Sequence, residues 1–221
     1  AAAYLADQVL GPPFITLLAS GGHTAVIYTK SYTEFEILGS TRDDAAGEAF
    51  DKAARVLGLP YPGGPSVEKL AREGEANIAF PKMFRGSGYD FSYSGLKTAV
   101  INYCHTREQK GEEYSRADVA ASFQAAACGV LAERAVAAAK EKKCKTIAAG
   151  GGVIANGYLR ELLQKECGAA GIRLVLPEKK YCTDNAAMIA AEGLVQYHAK
   201  NFADLSINAC AHIPLGKKGK Q

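Results

Sequence analysis

The sequence predicts an α/β fold: a mixed sheet with three antiparallel strands first, flanked by helices, and parallel strands in its second half. Three observations predict it. Apolar, β-branched runs at 14–19, 24–30 and 35–39 are linked closely enough to form an antiparallel meander. Long stretches with helical periodicity then follow, one of them rich in alanine. Two further short apolar runs, 146–149 and 172–176, are separated by a helical stretch, the alternation that makes a parallel crossover.

Taken in order, residues 1–9 have helical composition and stop at Gly11-Pro12-Pro13. Phe14, Ile15, Leu17 and Leu18 make the first strand. Ser20, Gly21 and Gly22 then reverse the chain with no Cβ in the way. Such a turn either aims backbone N–H groups at an anion or simply closes a hairpin onto Thr24–Thr29. A helix is predicted over 43–57, capped by Asp43 or Asp44 and ended by Gly58. Ala46, Phe50, Ala53 and Leu57 form its core stripe. Asp44, Glu48 and Asp51 share another face, where like charges repel unless water, a cation or a ligand hydroxyl absorbs them. A solvated face with an Asp51 to Arg55 pair is the alternative. Gly47 lies on the same face; a helical glycine costs about 1 kcal/mol relative to alanine, which points to close approach by something.

Tyr61-Pro62-Gly63-Gly64-Pro65 is a double turn, with Pro65 placed to open a helix at 66–72. The polar, glycine-spotted stretch 74–88 reads as an insertion or lid, and Ser94 as the cap of a helix reaching 105. Ser115 and Asp118 form a capping-box pattern before a helix over 116–143, whose terminal Lys140, Lys142 and Lys143 complement its dipole. A second glycine turn, Gly150-Gly151-Gly152, follows the strand at 146–149, and a helix over 157–167 begins near Asn156. That arrangement presents N–H groups to a phosphate or ring edge. The last helix spans 185–197 and takes Asp184 as its cap. This order of elements is that of a ribonuclease-H-like domain, with its ligand crevice between the glycine turns at the strand ends.

At 221 residues the chain can bury one good core, and 48% apolar with 22% charged residues is an ordinary globular balance. A net charge of +3 permits a nucleic-acid partner without requiring one. The six cysteines include no C-x-x-C pair, which argues against a zinc ribbon or a redox motif and for reduced, mostly buried thiols. No apolar run is read as approaching the roughly 18 residues of a membrane span, and no signal peptide is recognised. The expected location is cytoplasmic, with no membrane partner.

Five separated stretches carry a more specific signal: LLASGGHT at 17–24, DDAAGEAFDKAARVLGLPYPGGP at 43–65, DFSYSGLKTA at 90–99, GGGVIANGYLR at 150–160 and YCTDNAAMIA at 181–190. In this order they resemble the TsaD family of tRNA threonylcarbamoyl transferases, in its bacterial wording, over residues 14–215. The resemblance implies transfer of a threonylcarbamoyl group from threonylcarbamoyl-adenylate to N6 of the adenosine beside a tRNA anticodon. It implies the two-lobed fold of actin, sugar kinases and Hsp70, a nucleotide in the cleft, and one divalent iron or zinc acting as a Lewis acid on the mixed anhydride. Glycine-turn amides would stabilise the leaving AMP, so that no protein nucleophile is required.

Carried onto this sequence, Leu18, Ala19, Ser20, Gly21 and Gly22 would cradle the acyl-phosphate end of the adenylate, ATP or AMP, while Asp51 and Gly64 would hold the ribose side. Gly150, Gly151, Gly152 and Asn156 would meet the adenine side, and Asp184 would ligate the metal. The implied partners are tRNA and the proteins TsaB and TsaE. The family's first lobe, with its paired histidines four residues apart, is not matched, and His23, His105, His198 and His212 supply no such pair. Residues 1–13 are therefore expected to be a residual helix and linker from that lobe, 14–215 the second lobe with a helical insertion at 60–94, and 216–221 a tail. A non-catalytic nucleotide-binding or assembly module is the alternative. A third reading is the metallopeptidase of the family's former label, O-sialoglycoprotein endopeptidase, discounted because the paired-histidine-plus-glutamate arrangement of known zinc peptidases is missing here.

Overall fold

A computed structural model describes residues 1–81 and 88–208. Its centre is a five-stranded sheet in the order β3-β2-β1-β4-β5. β1 (Phe14–Ala19) pairs antiparallel with β2 (Thr24–Thr29), and β2 pairs antiparallel with β3 (Phe35–Ser40). β4 (Thr146–Gly150) lies parallel to β1, and β5 (Arg173–Val175) parallel to β4. Three antiparallel strands continued by two parallel ones are the ribonuclease-H-like arrangement, and each parallel connection runs through helices, as a crossover must.

Strand alternation sorts residues onto two faces. From β1, Ile15, Leu17 and Ala19 enter the main core with the buried sides of α2 (Ala46–Val56), α3 (Gly63–Ala71), α5 (Arg116–Glu141) and α6 (Gly157–Ala169). Phe50 and Phe123 meet edge to face there, at 5.1 Å between ring centroids. The alanines of α5 let its neighbours pack closely on both sides. On the opposite face Phe14 joins Leu10, Ala148 and Val175, with Ala3 and Tyr4 of α1 (Ala2–Ala6) packed against them. α1 in turn packs against α7 (Ala186–His198). α4 (Ser94–Lys110) flanks α2 and α5 and ends at Gly111, whose φ of 65° is the left-handed conformation of a helix stop.

Several sequence expectations are corrected. Neither Asp43 nor Asp44 caps α2: the cap position is Ala45, and the free Ala46 N–H is taken by Thr24 Oγ1 at 2.8 Å from the adjoining strand. Ser94 does not cap α4 either; its hydroxyl donates to Asp43, which does the capping from 51 residues away. Pro65 is the third residue of α3, which begins at Gly63. α7 is capped by Asn185, whose Oδ1 accepts from Met188 N at 2.9 Å, and not by Asp184. α5 is long and apolar enough to cross a membrane by length and composition, contrary to the reading that no such stretch exists, but it is the central core helix with two thirds of its apolar window buried. Cys104, Cys128, Cys144, Cys167 and Cys182 are free and buried, while Cys210, His212 and the tail lie outside the described residues.

Candidate ligand-binding site

A cavity of about 460 Å³ opens at the carboxyl ends of β1 and β4, between α2, α3 and the turn that leads into α6. Gly21, Asp51, Gly64, Gly152 and Asn156 line it, so the structure gathers five of the expected substrate-side residues from across 136 positions of chain. The others separate by strand geometry. Leu18, Gly150 and Gly151 line a different cavity on the far face of the sheet, Leu18 because it alternates with core-facing Leu17 and Ala19 along β1. Ala19 is fully buried in the core. Ser20 and Gly22 belong to the turn beside the cavity without lining it.

That turn is a hairpin and also an open ring of donors. Ser20 N donates to His23 O at 2.8 Å, and His23 N donates to Ser20 Oγ at 3.0 Å, which closes β1 onto β2. The N–H groups of Gly21 and Gly22 have no hydrogen-bond partner among the described residues. The hairpin reading of this turn is what the structure shows, with two N–H groups left open beside it. Gly47 explains how the helix comes so near: its N–H donates to Ser20 O at 3.0 Å, and a Cβ there would sit 2.8 Å from Gly21 Cα.

Asp51 projects from α2 and accepts Gly63 N through Oδ1 at 2.8 Å, satisfying the first donor of α3. No ion pair joins it to Arg55 among the described residues. Lys52 instead neutralises Asp44 and Glu48, at 2.6 and 2.9 Å, which answers the like-charge problem on that helix face. Asn156 caps α6, accepting Leu159 N at 2.9 Å, and donates through Nδ2 to buried Gln124 at 2.9 Å. Its orientation is thus fixed from both ends. Gly151 stands at φ 104°, and a Cβ there would overlap the Ala19 carbonyl, so a glycine is what lets the chain leaving β4 pass this close to β1.

Sequence reasoning missed Glu68, Tyr61, Phe50 and Lys179 as cavity residues. Phe50 was read correctly as core, and only its position at the cavity floor was hidden. Tyr61, 85% exposed beside the cis Tyr61–Pro62 bond, sits in a quoted motif and gave no signal of its own. Asp184 is exposed just before α7 and near the second glycine turn, since Thr183 approaches Gly152. Among the described residues no three His, Cys, Asp or Glu side chains gather as a metal site, so Asp184 does not by itself fit a bound iron or zinc.

Fold and cavity together define a ribonuclease-H-like fold with an open cavity at the ends of β1 and β4, lined by both Gly21 and Gly152. Solved structures agree on the fold: full-length HypF in its phosphate- and nucleotide-bound form overlays 91% of this chain with a TM-score of 0.70 at 13% identity, covering 35% of HypF. HypF of T. kodakarensis gives the same score over 90% of the chain and 36% of its own, at 17% identity. The family model for TsaD, tRNA N6-adenosine threonylcarbamoyltransferase, matches residues 1–191, and the chain belongs to this transferase family of tRNA modification. A tRNA N6-adenosine threonylcarbamoyltransferase of Clostridium botulinum (strain 657 / Type Ba4) is 51% identical over 95% of the chain, and one of Moorella thermoacetica is 52% identical over 97%. The chain spans 62% and 63% of the lengths of these two relatives.

Proposed function

We propose that this chain is the second, donor-holding lobe of a tRNA threonylcarbamoyl transferase and that its cavity takes an adenine nucleotide, threonylcarbamoyl-adenylate in the working enzyme. The observation that carries the reading is the convergence of Gly21, Asp51, Gly64, Gly152 and Asn156 on one cavity in a chain of this family. In the transfer, N6 of the acceptor adenosine bonds to the carbamoyl carbon, the bond from that carbon to the phosphate oxygen breaks, AMP leaves with the electron pair, and N6 loses a proton. Free N–H groups at Gly21 and Gly22 suit the growing charge on the departing phosphate. Asp51 faces the ribose through its second oxygen, and the capped, immobile Asn156 borders the base.

Among the described residues Asp184 is the proposed donor to a divalent metal, iron or zinc. tRNA, TsaB and TsaE are the proposed partners, in the cytoplasm. A non-catalytic nucleotide-binding role for the isolated chain is the second reading, favoured by that single metal donor.

The test is calorimetry of the 221-residue chain with AMP and ATP, alongside Gly21→Val. A Cβ at Gly21 meets nothing within 4 Å, so valine fills the cavity wall without disturbing the core. Binding lost in the variant at an unchanged melting temperature is expected. Unchanged heats would remove the first glycine turn from the site.

A further inference from the structure

The cavity wall carries two acidic side chains, Asp51 and Glu68, and a single basic one, Lys179. Both acids already have partners. Asp51 accepts from Gly63 N, and Glu68 Oε1 accepts from Gly157 N at 3.1 Å while pairing with Arg72 at 2.6 Å. Lys179 differs: its ammonium makes no hydrogen bond or ion pair among the described residues. Its neighbour Lys180 is committed to Glu178 at 2.9 Å and lies over the Tyr181 ring.

The backbone under Lys179 is fixed even though the side chain is free. Lys179 begins a short 3-10 turn, Lys179–Tyr181. Arg160 Nη1 donates to Pro177 O at 3.0 Å and to Ile154 O at 3.2 Å, which ties this loop to the turn Gly152–Ala155 at the cavity. Buried Cys182 anchors the other end. An anchored turn thus holds one uncommitted cation at the mouth of a cavity whose remaining charges are negative and engaged.

We propose that Lys179 binds the phosphoryl group of the nucleotide in this cavity. The inference rests on the reading that the cavity takes an adenylate, and it names the residue that sets preference for the charged ligand over its uncharged nucleoside. An adenylate ester carries one negative charge on its phosphate and the AMP released carries up to two, so the lysine interacts more strongly with the leaving group than with the bound donor. The contact lies at an open mouth, so its contribution is modest and reduced by salt.

The experiment is calorimetry of the 221-residue chain and its Lys179→Ala and Lys179→Arg variants with AMP and with adenosine, at low and high salt. Lys179 is exposed, so both variants keep the parent fold. Expected is a loss of AMP affinity of about fivefold in Lys179→Ala at low salt, shrinking at high salt, with adenosine affinity unchanged and AMP affinity kept by arginine. AMP binding that is lost with Gly21→Val but indifferent to Lys179→Ala overturns this inference alone, and equal losses for AMP and adenosine do the same. A parent chain that binds neither ligand overturns the functional reading and the assignment with it.

Discussion

Gly47 is where a residue-scale argument reverses the usual rule. In a helix interior glycine to alanine stabilises by up to about 1 kcal/mol, because alanine has less backbone freedom to lose. Here the new methyl would stand 2.8 Å from Gly21 Cα and 2.9 Å from Ser20 O, both backbone atoms that cannot swing aside. Gly47→Ala is therefore expected to destabilise by about 1–3 kcal/mol, as overpacking does, and to weaken AMP binding by pushing α2 off the hairpin turn. Thermal melting and calorimetry on the same variant check it; a more stable protein with unaltered binding would show that the turn yields freely. Gly151 is equally crowded, by the Ala19 carbonyl at the joint of β1 and β4, so its substitution disturbs the sheet whatever it does to a ligand.

Between elements the main device is Asp43. Its carboxylate accepts from Ser92 Oγ, Ser94 Oγ, Tyr93 N and Ser94 N, and so closes the start of α4 from the loop ahead of α2. Burial alone would raise its pKa, but these hydrogen bonds outweigh it and hold the group below its ordinary 3.8. Asp90 is lowered too, first by the Ser40 N–H and then by Arg42. A carboxyl depressed in the folded state contributes stability that is complete above its unfolded value and lost as pH falls through its folded one. Stability is therefore expected to decline below about pH 4, and Asp43→Asn to flatten that decline. Asp43→Ala should cost about 1–2 kcal/mol at neutral pH, discounted for the exposure of the site. Urea titrations across pH 2.5–7 measure both effects. A parent and an Asn variant with parallel profiles would leave Asp43 without electrostatic weight.

Seen whole, the molecule has one thickly covered sheet face and one thin one. The thick face holds the main core, while the other is covered by α1, against which α7 packs without burying any of its own residues fully. Ile189, Leu194 and Tyr197 stay exposed along it. The cavity belongs to the thick side, within elements this chain supplies itself, whereas among the described residues no three His, Cys, Asp or Glu side chains gather as a metal site. Supplied with threonylcarbamoyl-adenylate and tRNA, the 221-residue chain is expected to form no threonylcarbamoyl adenosine, as mass spectrometry of the digested tRNA would read. Modified nucleoside in that assay would mean that Asp184 needs no companions. Helix α7 should be indifferent to Asp184→Asn in either case, because Asn185 makes its cap.

What the sequence determined by itself was whatever local pattern and motif carry. Apolar, β-branched runs marked β1 and β2, a 3.6-residue stripe placed Ala46, Phe50, Ala53 and Leu57 inside, and Gly47 stood out as a helical glycine needing a neighbour. The order of those elements was enough for the sheet topology, since short meanders and crossovers leave few alternatives. Only the tertiary structure decided which side chains share a cavity and which carboxylate caps which helix. Leu18 falls on the far face through strand alternation, and Lys179 reaches the cavity from a loop no motif reads. Asp43 serves α4 while Thr24 serves α2, because a helix end accepts whichever oxygen packing brings within reach, however distant in the chain.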